Sequence, residues 1–142
     1  MLYEHLNITK PPMIVEPDLT RRASTAEGLF AAAAEERGSL IAKLRGAGAL
    51  LFRGFPKLTI AEFARFARDL AGRQLLHYVA GASPRTQLGG GVYTSTEYPS
   101  GITIPLHNEL SYTFEWPEYL FFYCVTPPAA GGETPPPTAA RS

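Results

Sequence analysis

Residues 103–112 read TIPLHNELSY, and the fold of the whole chain turns on how that run is read. In an extended strand successive side chains alternate between faces, so His107 and Glu109 project together and Asn108 points away. Two readings of that pair are open. It is a partly exposed His–Glu pair on a sheet, or it is an imidazole nitrogen and a carboxylate oxygen offered together to a metal. In the second case a further histidine from a distant strand would complete a facial triad, the arrangement that leaves positions open on non-haem Fe(II). A strand end suits that task because it holds both ligands on one face. For a bare H-x-E the sheet pair is the better reading, so the metal reading rests on the surrounding chain.

Downstream, YLFFYCV (119–125) reads as another strand, and TPPAAGGETPPPTAARS (126–142) is rich in proline and glycine. Upstream, GASPRTQLGGGVYTSTEYPSG (81–101) has the composition of a loop. Its three adjacent glycines, Gly89–Gly91, are not a phosphate cradle, because neither a lysine nor a helix start follows them. Thr59 and Glu62 have the T-x-x-E spacing of a capping box and open a helix, with Ile60, Phe63, Phe66, Ala67 and Leu70 on one face and Gly72 as its stop. ALLFRGF (49–55) is too short and apolar for a surface helix and reads as a buried strand closed by Pro56. LFAAAAEERGSLIAKLRGAG (29–48) is built of good helix formers, with Gly38 weakening it midway and Gly46 or Gly48 ending it. Met13–Val15 forms a short apolar strand between prolines. Helices first and strands later suit an α+β fold, or a β core decorated by N-terminal helices.

Composition narrows the function. At 142 residues the chain is expected to form one domain, and 45% apolar residues permit a packed core. Thirteen Lys and Arg balance thirteen Asp and Glu, which gives no electrostatic case for nucleic acid. The one cysteine, Cys124, excludes an intrachain disulfide and argues against a cysteine-based zinc site. The start, MLYEHLNITK, does not read as a signal peptide, and no run approaches the roughly 20 apolar residues of a membrane span. A soluble, cytoplasmic chain without a membrane partner is expected.

Taken together, GALLFRGF (48–55), SPRT (83–86), VYTSTEYP (92–99) and IPLHNELSYTFEWPEYLFFYCVTPPAAGGETP (104–135) resemble the TauD/TfdA-type Fe(II)- and 2-oxoglutarate-dependent dioxygenases, in the branch of the syringomycin-type amino-acid hydroxylases. The resemblance implies a mostly β fold with N-terminal helices, a double-stranded β-helix or jelly roll of the clavaminate synthase-like kind. It implies that His107 and Glu109 are iron ligands and that Thr134, in GGET, hydrogen-bonds a carboxylate of the co-substrate 2-oxoglutarate. It also implies a small-molecule substrate, of the class of an amino acid or its carrier-bound form. Tyr112, Trp116 and Phe122 are expected in the core.

The chain also departs from that pattern. The family's distal histidine, and the arginine after it that pairs with the co-substrate, have no counterpart, since His5 and His77 are the only other histidines. A jelly roll needs about eight strands, and roughly half are in view. Residues 1–135 are therefore expected to be the N-terminal part of such a domain, and 136–142 an aberrant Pro-rich tail. On this reading the chain is a truncated copy, inactive alone, with Leu51, Phe52, Leu120, Phe121 and Phe122 short of partners. The alternative is a non-catalytic fragment, unfolded by itself or bound to a partner chain.

Overall fold

The computed structural model describes residues 3–5, 12–17, 25–76, 84–95, 97, 99, 102, 114 and 116–130. They belong to two compact units, one comprising Met1–Leu58 with Val125–Ser142 and the other Thr59–Cys124.

In the first unit, β1 (Tyr3–His5) pairs antiparallel with β2 (Met13–Glu16), and β2 pairs parallel with β3 (Leu50–Phe52). Parallel neighbours need a crossover, and here it consists of two helices, α1 (Ala26–Glu35) and α2 (Arg37–Ala47). Val15 lies on the central strand and is 1% exposed, while Leu51 on β3 remains 37% exposed. The helices add Leu29, Phe30, Ala33 and Leu40 to the core of this unit. Thr25 caps α1 by accepting from the amide of Gly28 at 3.1 Å.

The long helix expected over 29–48 is interrupted, but at Glu36 rather than at Gly38. The hydrogen bonds Glu36 N–H to Ala32 O and Leu40 N–H to Glu36 O keep helical spacing on both sides, so only one residue leaves the helical conformation. Gly38 then falls in the first turn of α2. Gly48 ends α2 with φ 80°, donating to Leu44 O at 2.7 Å. Gly46 lies inside the helix, and a Cβ there would meet nothing within 4 Å. Gly46→Ala is therefore expected to stabilise the chain by about 0.4–1 kcal/mol, read from the midpoint of a denaturant melt.

In the second unit the capping box forms as the spacing predicts, opening α3 (Ile60–Ala71). Glu62 Oε2 accepts from the Thr59 amide and from the Thr59 hydroxyl, each at 2.7 Å, while the Glu62 amide donates back to Thr59 Oγ1 at 3.3 Å. Gly72, at φ 71°, stops the helix. The buried face is Ala64, Phe66, Ala67, Leu70 and Ala71, and Ile60 and Phe63 are only half-buried. The stripe is thus rotated towards the alanines, which allow close approach. Thr59→Ala is expected to destabilise this unit by about 1 kcal/mol in a thermal or denaturant melt.

Hydrogen bonds from Thr59 hold the Glu62 carboxyl below its ordinary value of 4.5. A depressed folded-state pKa gives stability that is present above the unfolded value and lost as pH falls through the folded one. The cap should therefore weaken below pH 4.5, and Thr59→Ala should flatten that part of the acid titration.

Residues 81–101 do not remain simple loop. They contain a two-stranded hairpin, β4 (Gln87–Gly89) and β5 (Val92–Tyr93), in contact with α3. Gly89, Gly90 and Gly91 form its turn with φ of 110°, 60° and 82°, a region that only glycine enters at little cost. The glycines therefore serve the turn. A Cβ on Gly90 would stand 3.2 Å from Ala64 Cβ, and one on Gly91 would stand 2.9 Å from Leu75 Cβ.

The strand expected over 119–125 carries no ladder. Its exposure nevertheless alternates: Tyr119, Phe121 and Tyr123 are half-buried, and Leu120, Phe122 and Cys124 are exposed. The strand expected over 102–112 lies almost entirely outside the described residues. The helices and short strands that are described neither complete nor conflict with half a jelly roll.

Candidate functional site

The site residues named from the sequence, His107, Glu109 and Thr134, lie outside the described residues, as do Tyr112 and His77. His5 belongs to β1, opposite Ile14 of β2. The donor set suits Fe(II) in type, since imidazole nitrogen and carboxylate oxygen are its usual ligands in facial-triad sites. Among the described residues no group of three His, Cys, Asp or Glu side chains is placed to hold a metal. No helix among them is long and apolar enough to cross a membrane.

What the structure does show is how the chain approaches and leaves the H-x-E stretch. On the approach, residues 84–95 and 97 are tied at the base of the hairpin. Thr94 Oγ1 accepts from the Thr86 amide at 2.8 Å and donates to Glu97 Oε1 at 2.6 Å. Two backbone bonds close the same base, Thr94 N–H to Thr86 O at 2.9 Å and Glu97 N–H to Pro84 O at 3.1 Å. The Thr94 hydroxyl, helped by Thr86, holds the Glu97 carboxyl below its ordinary value. Sequence reading passed over this clamp although a signal was present. Thr94 and Glu97 repeat the T-x-x-E spacing of the helix cap, here without a helix to follow.

On the departure, residues 116–124 are fastened to the α3 region at two points. The rings of Phe63 and Tyr123 stack at 5.2 Å between centroids and 24° between planes. Arg73 Nη2 lies 3.2 Å from Glu118 Oε2. Neither pair was anticipated from the sequence, where Phe63 is simply one position on an apolar stripe.

The expectation that Trp116 and Phe122 are core residues is overturned. Trp116 is 67% exposed and Phe122 is 83% exposed, beside Leu120 at 52% and Val125 at 50%. Among the described residues no strand pairs with 119–125, so the side chains of Leu120 and Phe122 have no described sheet to bury against.

The family model described as Taurine catabolism dioxygenase TauD, TfdA family matches residues 20–136. A clavaminate synthase-like protein of Arabidopsis thaliana is 45% identical over 92 residues, which is 65% of this chain and 28% of that protein. The dapdiamide synthesis protein DdaC of Enterobacter agglomerans is 40% identical over 88 residues, 62% of this chain and 26% of its own length. The matched stretch thus spans about a quarter of the length of these relatives. The match runs through the H-x-E stretch and covers most of the chain: it belongs to the TauD/TfdA family of dioxygenases.

Proposed function

We propose that this chain carries the first part of the metal centre of a non-haem Fe(II)/2-oxoglutarate-dependent dioxygenase, a hydroxylase-type oxidoreductase. His107 and Glu109 are the iron ligands it supplies, and Thr134 donates a hydrogen bond to a 2-oxoglutarate carboxylate. Residues 1–135 form this part, and 136–142 depart from it. The observation that carries the reading is the family match over 20–136, which has H-x-E in a stretch with a strand's alternation. With both co-substrates bound, iron supplies the oxidation of a substrate C–H bond by O2 as 2-oxoglutarate is converted to succinate and CO2. The protein's share is to present two donors on one face and to fix the co-substrate's carboxylate. Family members act on small molecules, and the resemblance to the syringomycin-type branch supports a substrate of the amino-acid class, free or carrier-bound.

Two ligands hold a metal less firmly than three. Fe(II) is therefore expected to bind the 142-residue chain weakly, and His107→Ala or Glu109→Ala should abolish that binding in anaerobic titration calorimetry. Tight, stoichiometric binding that survives His107→Ala would remove this residue from the metal site.

A second reading, a non-catalytic chain that binds a partner polypeptide, is favoured by the exposed Trp116, Leu120 and Phe122. It predicts that the parent chain, His107→Ala and Glu109→Ala behave alike in the metal experiment.

A further inference from the structure

We draw no further inference here: the strongest candidate, the exposed apolar row of Trp116, Leu120 and Phe122 along the segment 116–124, carries none because nothing in the structure shows what covers it.

Discussion

Supplied with Fe(II), 2-oxoglutarate and oxygen, the 142-residue chain is expected to release no succinate above the level given by free iron. Turnover in a facial-triad centre needs the metal held by three protein ligands with the remaining positions open to co-substrate and oxygen. On the assignment proposed above, these residues offer His107 and Glu109, and the other histidines are His5, on β1, and His77. The resemblance also assigns the co-substrate's second carboxylate to an arginine that has no counterpart here. On the proposed assignment, a centre with two ligands holds the metal less firmly and one without that arginine holds the co-substrate less firmly, so both effects act on the same step. The measurement is succinate release with and without chain, in parallel with His107→Ala and Glu109→Ala. Succinate that depends on both residues would show that His5, His77 or a second chain completes the site.

Gly91→Ala should destabilise the unit Thr59–Cys124 by about 2–5 kcal/mol, the largest stability effect expected of any single methyl group in the described residues. Two penalties coincide at this position. The backbone is left-handed, at φ 82°, which costs an L residue about 1–2 kcal/mol. The new Cβ would also stand 2.9 Å from Leu75 Cβ, an atom fixed to the backbone that cannot rotate away. Overpacking of that kind costs about 1–3 kcal/mol. Domains are stable by only about 5–15 kcal/mol, so the loss is a large fraction of the total. Gly89→Ala is the matched control. Its φ is 110°, but a Cβ there meets nothing within 4 Å, so only the backbone penalty applies. Denaturant melts of the two variants should differ by the cost of the Leu75 contact. Equal midpoints would mean that the hairpin turn does not press on the residues after α3.

The features legible from sequence are those whose partners lie within a few residues. The Thr59–Glu62 cap, the stop at Gly72 and the left-handed end at Gly48 each close within one helical turn, so spacing and residue type suffice to place them. The strands at Met13–Glu16 and Leu50–Phe52 were legible as short apolar runs between prolines and glycines, although their parallel pairing was not. The candidate site was legible as chemistry: two donor types, two residues apart, inside a family signature that the match over 20–136 bears out as family membership.

Tertiary structure decided what depends on partners distant in the chain. T-x-x-E caps a helix at Thr59–Glu62 and clamps a hairpin base at Thr94–Glu97, because a helix follows only the first and Thr86 comes across to meet only the second. The Gly89–Gly91 run reads as loop until α3 and Leu75 supply the surface on which its turn rests. The same rule explains 119–125. Period-two alternation is a property of the local backbone and persists, whereas a ladder needs a second strand; among the described residues none pairs with 119–125, and Leu120 and Phe122 are exposed.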